Sequence, residues 1–175
     1  DNELDVACLA LPIDTQGLSL WPLYDEDFVV VLPSEHRWAR EDNVPARKLA
    51  EEPLLLLGPG HCFREQVIEA CPKCVDPESE GPRPQTGSSL ETIRHMVAGG
   101  LGVTVVPRSS VENRSEEASL IVAKPFANKP PSRRIALAWR KTFPRTKAIQ
   151  VLRDAILASP MKGVSFLPDA GVSEG

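Results

Sequence analysis

Cys62 and Cys71 are the residues in this sequence best equipped to do chemistry. Cys62 follows a Gly58-Pro59-Gly60-His61 turn and opens a stretch, Phe63 to Ala70, whose apolar residues recur at helical spacing. A Gly-Pro-Gly run favours a tight turn, because glycine reaches positive φ and proline fixes its own φ. The pattern predicts a helix starting at Cys62, with Phe63, Val67 and Ala70 or Cys71 on one face. A thiol in the first turn of a helix meets unpaired backbone N–H groups and the positive end of the helix dipole. His61 is adjacent and Arg64 lies two residues on. Each of these features favours the thiolate, which is the nucleophilic form of cysteine.

Cys71 follows nine residues later. Nine helical steps turn the chain by about 900° and raise it by roughly 13 Å, so the two thiols would leave opposite faces of the helix. A disulfide needs Cα atoms about 4.4–6.8 Å apart. If Cys62 and Cys71 ever bond, the helix between them must come apart. Cys71 also opens a second motif, Cys71-Pro72-Lys73-Cys74. Two cysteines at this spacing serve as a redox pair or as half of a zinc site. With His61 and Cys62 four candidate zinc ligands exist, so a zinc-thiolate sensor competes with a redox reading. No second closely spaced Cys/His pair supports it. Cys8 lies in residues 4–11, which read as a short buried strand, and it reads as core. Arg64 has an ordinary alternative, an ion pair with Glu65 or Glu69. His36 reads as a surface loop residue.

These residues need a framework. Leu54–Leu57 is a continuous apolar run that reads as a buried strand, and Leu101–Val106 also reads as a buried strand. Asp27–Leu32 and Arg134–Trp139 read as further strands. Helical spacing recurs in 90–98 and in 147–157, where Ile149, Leu152 and Ile156 share a stripe. Ser88 and Glu91, three apart, fit a capping box for the first of these helices. Residues 72–87 carry four prolines and two glycines and read as a long loop. Beyond Pro160 the sequence reads as a disordered tail. Strands alternate with helices, so the fold class is α/β.

Composition narrows the function. At 42% apolar and 25% charged, the 175 residues are ordinary globular material. A net charge of −4 argues against these residues gripping nucleic acid themselves. No stretch approaches the roughly 20 apolar residues of a membrane span. The acidic opening, Asp1-Asn2-Glu3, does not resemble a secretory leader. Four cysteines do not suggest a disulfide-stapled secreted domain, so a cytoplasmic protein with working thiols is expected.

The run LLLLGPGHCFREQVIEAC, Leu54 to Cys71, resembles the sensing segment of the hydrogen-peroxide-responsive LysR-type transcriptional regulators. The run SSLETIRHMVAGGLGVTVVP, Ser88 to Pro107, resembles the effector domain of LysR-type regulators in general. Together the likeness extends from about Leu4 to about Leu157. It implies two Rossmann-like lobes of the periplasmic-binding-protein type joined by two crossover strands. Residues 1–32 and 134–160 would form the first lobe, incomplete at its start. Residues 33–133 would form the second, with the redox cysteines, and 161–175 a flexible tail. The chain is accordingly expected to be a fragment, with a DNA-binding helix-turn-helix preceding it.

The resemblance also implies roles. Cys62 would be the peroxidatic thiol, and Cys71 the resolving thiol that forms a disulfide with it. Arg64 and His61 would stabilise the thiolate or polarise the peroxide. Ser88, Ser89 and Gly60 would face the effector cleft. Hydrogen peroxide is the implied signal and DNA the implied target. A homodimer or homotetramer is the implied assembly, and glutaredoxin or thioredoxin the implied reductant. Neither a cofactor nor a metal is expected, and the chain is not expected to be an enzyme. A LysR-type effector domain for a small organic ligand and a thiol peroxidase are the remaining alternatives. The Cys62/Cys71 pair argues against the first; the second shares the first chemical step, but a sensor is oxidised once per signal and awaits reduction by another protein.

Overall fold

The computed structural model describes residues 4–72, 81–112 and 120–174. The chain divides into two compact units, residues 1–27 with 132–175 and residues 28–131. It crosses between them inside β2 (Leu18–Pro33) and again on entering β7 (Ser132–Arg140). Phe28 to Leu32, expected with the first lobe, fall with the second unit. They pair there with β5 (Val103–Pro107) and β6 (Ile121–Lys124).

In the first unit β7 lies between β1 (Val6–Leu11) and β2, antiparallel to both. The β2–β7 register shifts between Pro22 and Tyr24. Pro22 brings no N–H to a ladder, which suits it to an irregularity of this kind. Leu23, Ile135, Leu137 and Trp139 are buried against Ile149 of α4 (Thr146–Leu157). Two ion pairs join β2 to β7 beside the crossovers. Arg134 Nε donates to Asp25 Oδ1 at 2.7 Å, and the Arg133 guanidinium lies 2.7 Å from the buried Glu26 carboxylate.

Two parts of this unit differ from the sequence reading. The tail after Pro160 runs back along β2 as β8 (Val164–Phe166) and β9 (Ser173–Glu174). Phe166 packs edge-on against Tyr24, and the Trp21 indole N–H donates to the Ala170 carbonyl at 2.6 Å. Cys8, expected in the core, is a free and exposed thiol. It sits on β1, which pairs with β7 alone among the described strands. Partial burial nevertheless raises the Cys8 thiol above its ordinary pKa, and the Arg133 charge offsets this only in part. Cys8 is thus an unactivated thiol.

In the second unit β3 (Leu54–Leu57) runs parallel to both β4 (Gln85–Gly87) and β5. Helix α1 (Cys62–Ala70) links β3 to β4, and α2 (Leu90–Ala98) links β4 to β5. Helical crossovers cover a parallel sheet on its faces, which is why β3 and β5 are buried along their whole length. The short helix α3 (Ser109–Glu112) follows β5. Two 3-10 turns follow β2, Arg37–Arg40, which holds the buried Trp38, and Ala46–Glu51. His36, expected at the surface, caps the first turn by accepting the Trp38 N–H, and its Nε2 lies 3.3 Å from Glu52.

Gly102 joins α2 to β5 at φ +156°, where a Cβ would come within 2.2 Å of the Pro53 carbonyl oxygen. Gly102→Ala should therefore lower the unfolding free energy by at least about 1–3 kcal/mol, read from the urea midpoint at unchanged slope. Alkylation of Cys8 at neutral pH should be slow despite its exposure, approaching the rate of a free thiol only in urea.

Candidate functional site

The parallel strands β3 and β4 end side by side, at Leu57 and Gly87. The Gly58 N–H donates to the Gly87 carbonyl at 3.2 Å and ties the two following turns together. In open α/β sheets such carboxyl ends are where sites are built. The turn after β3 carries Gly60 (φ +91°) and an exposed His61, and the turn after β4 carries exposed Ser88 and Ser89. Four of the expected site residues therefore lie at one end of the sheet.

Helix α1 starts at Cys62, as the spacing predicts, with His61 at its N-cap in extended conformation. The His61 side chain makes no capping bond, so it leaves the first N–H groups of the helix uncovered by its own ring. The backbone of Cys62 is thereby held at the electropositive end of α1; its side chain lies outside the described part of the structure. Arg64 turns back instead of pairing along the helix. Its Nη1 donates to the Leu57 carbonyl at 2.8 Å and ties the first turn of α1 to the end of β3. Neither Glu65 nor Glu69 takes it as an ion-pair partner among the contacts described.

Phe63, Val67 and Cys71 are the buried face of this segment, spaced four residues apart. The Phe63 ring meets Phe28 edge-on at 5.3 Å. Cys71 caps the other end of α1, its N–H donating to the Val67 and Ile68 carbonyls. It is 5% exposed, and its Sγ lies 3.7 Å from the Ala46 carbonyl oxygen. So the structure does not bring Cys71 to Cys62. It is also disulfide-bonded, and its sulfur therefore has no proton to give Ala46. The partner is not Cys62, because an unbroken α1 holds the two Cα atoms roughly 13 Å apart. Cys8 is free. Cys74, the remaining cysteine of the sequence, lies outside the described residues.

The cap of α2 is displaced by one residue from the expected one. Ser89, not Ser88, is the N-cap, and its Oγ accepts the Thr92 N–H at 3.1 Å. Both serine hydroxyls contact the Thr92 hydroxyl, at 3.3 Å from Ser88 and 3.0 Å from Ser89. Glu91 lies instead toward His95, at 4.0 Å. Thr92 is a site-side residue that the sequence reading missed; the Ser-x-x-Thr spacing was its only signal. Gln66 is another. It follows Cys62 by one helical turn, and its Oε1 is buried with no hydrogen-bond partner among the described residues. Among those residues no group of three His, Cys, Asp or Glu side chains is placed to hold a metal ion.

Residues 1–160 match the family model of the LysR substrate binding domain. The chain belongs to this family. Within it, the chain is 41% identical over 157 residues to a probable hydrogen peroxide-inducible genes activator of Mycobacterium avium, covering 89% of this chain and 49% of that one. It thus spans about half the length of the curated relatives it matches. Two solved structures are similar in both fold and sequence. The reduced form of the OxyR regulatory domain from Pseudomonas aeruginosa superposes with a TM-score of 0.78 at 44% identity, over 90% of this chain and 74% of that one. A reduced form of OxyR from N. meningitidis gives 0.82 at 39% identity, over 94% and 75%. The two-lobed α/β architecture of LysR substrate-binding domains is therefore that of this chain.

Ser89→Ala should destabilise the protein by about 1 kcal/mol, the usual worth of an N-cap hydroxyl, while Ser88→Ala should change it by much less. Equilibrium urea unfolding of the two variants checks the one-residue displacement of the cap.

Proposed function

We propose that this chain is the redox-sensing regulatory domain of a LysR-type transcriptional regulator that responds to hydrogen peroxide. One observation carries the reading: Cys62 opens α1 at the carboxyl end of β3, and Cys71 closes the same helix at its other end. The similarity to peroxide-inducible activators and to OxyR regulatory domains supports it.

In this reading the Cys62 thiolate attacks hydrogen peroxide, breaking the O–O bond and leaving a sulfenic acid and hydroxide. A reduced Cys71 thiol then attacks the sulfenic sulfur, forming a disulfide and releasing water. The second step requires α1 to unravel, because the helix holds the two residues beyond disulfide reach. His61 and Arg64 contribute beside Cys62. His61 is exposed and unspent as a cap, so it is available to hydrogen-bond a thiolate or peroxide. Arg64 acts through the helix, fixing its first turn to β3. Gly60, Ser88 and Ser89 complete the rim around the peroxide or another small effector. The buried Gln66 carbonyl is an acceptor near the same turn.

Unravelling α1 removes Phe63 and Val67 from the core, so the two redox states differ in packing as well as in one covalent bond. That difference would be passed to DNA through a domain outside these residues and through a homodimer or homotetramer. A glutaredoxin- or thioredoxin-type dithiol would restore the thiols. A cytoplasmic location suits a thiol kept reduced until signalled. No helix among the described residues is long and apolar enough to cross a membrane.

The test is peptide mapping of the pre-reduced chain after sub-stoichiometric hydrogen peroxide. Cys62 linked to Cys71 is expected, with a mobility shift on a non-reducing gel. Cys62→Ser should abolish both and Cys8→Ser should leave both intact. A shift that survives Cys62→Ser would refute the assignment.

A further inference from the structure

The stretch that matches the family model ends at residue 160, and the segment after it lies on the first unit as an added strand. No residue from Met161 to Ser173 is buried, so the segment rests on the unit without entering its core. It is held as a peptide ligand is held. β8 takes the edge of β2 opposite β7 in antiparallel register, Val164 to Phe166 against Glu26 to Tyr24, and β9 takes it again at Ser19 and Leu20. The Leu167 N–H donates to the Leu23 carbonyl at 2.8 Å. Main-chain bonds of this kind give a docked strand its affinity, and its side chains give the selectivity. Here the Phe166 ring meets Tyr24 edge-on at 6.0 Å. The Trp21 indole N–H donates to the Ala170 carbonyl, and Arg153, stacked 4.6 Å over the Trp21 ring, donates to the Pro168 carbonyl.

We propose that residues 163–174 are an exchangeable arm, and that the edge of β2 from Ser19 to Glu26 is a docking groove that takes the same arm from a second copy of this chain. The proposal does not depend on the redox reading, since both Cys62 and Cys71 belong to the other unit. An arm arriving from another copy makes every contact that the chain's own arm makes, so exchange loses none of them. Its release withdraws no buried side chain from Met161 to Ser173. The hinge is short. α4 ends at Leu157, and five residues later Gly163, at φ +78°, turns the chain into β8. A short hinge ahead of a pairing element is the setting in which identical elements are exchanged between copies.

The groove also selects against other strands. It carries Asp25 and Glu26, and the arm from Lys162 to Pro168 brings no acidic side chain against them. Two bare β2 edges are poor partners for each other, because Pro22 lies between the two docking stretches and brings no N–H. The arm of another copy therefore fits where the edge of another copy does not. Two copies that exchange arms are joined at their first units by two equivalent docked strands, related by a two-fold axis.

The test shortens the hinge of the full chain. Deleting Pro160, Met161 and Lys162 removes about 10 Å of reach, so the arm cannot return to its own β2. Light scattering over a dilution series should give the shortened chain twice the mass of the intact chain. Phe166→Asp in the shortened chain sets a carboxylate beside Asp25 and Glu26 and should restore the lower mass. A second measurement needs no assembly. A fluorescein-labelled synthetic peptide of residues 160–175 is titrated into the intact chain and into its Phe166→Asp variant, with polarisation as the readout. The variant, its groove vacated, should bind the peptide at least about tenfold more tightly than the intact chain, whose own arm competes. A peptide that itself carries F166D should not bind. Exchange is overturned if the shortened chain keeps the mass of the intact one, or if its dimer survives Phe166→Asp. The groove is overturned if the Phe166→Asp chain binds the two peptides equally.

Discussion

A helix is a spacer, and this one keeps the backbones of two cysteines apart. Hydrogen bonding along α1 fixes the rise between its ends at about 1.5 Å per residue, so Cys62 and Cys71 cannot approach each other by side-chain motion alone. Any chemistry that joins them must break backbone hydrogen bonds first. The chain around α1 serves either to hold that spacer or to supply the groups at its two ends.

What holds the spacer is tertiary packing more than helical propensity. A nine-residue helix is too short to persist in water by itself. Three contacts stabilise it here: the Phe63 ring on Phe28, the buried Val67, and the Arg64 guanidinium bonded to the end of β3. Burying a side chain of the Phe or Val kind contributes about 1.5–3 kcal/mol. A handful of such contacts is what the proposed Cys62–Cys71 bond would have to overcome. A longer helix with a wider apolar face would resist that bond more strongly.

Much of this was legible in the sequence. Leu54–Leu57 and Leu101–Val106 read as buried strands, and strands are found at Leu54–Leu57 and Val103–Pro107; the Gly-Pro-Gly turn marked where α1 begins. What escaped the sequence lacked a periodic signal. The strands β8 and β9 are three and two residues long, too short to show alternation. Cys8 sits in an apolar run, but whether such a run is covered depends on what lies beside β1, which local spacing does not encode. The α2 cap moved by one residue because Ser88 with Glu91 and Ser89 with Thr92 satisfy the same three-residue rule; the backbone bond to Ser89 decides between them. His36 became a capping residue through Trp38 and Glu52, one near and one distant in sequence.

The anchoring of α1 also has a position in the fold. Phe28, which receives the Phe63 ring, is the first residue of the second unit, directly after the crossover at Asp27. Its backbone N–H donates to the Pro131 carbonyl, the last residue before the returning crossover. The residue that receives the Phe63 ring is thus hydrogen-bonded to the residue just before β7. Two residues earlier Glu26 is buried and paired with Arg133. Breaking a buried pair of that kind is strongly destabilising, so Glu26 and Arg133 hold β2 to β7 within the first unit. In the proposed function, a loss of Phe63 packing would first be felt at Phe28, which a backbone hydrogen bond already holds in place.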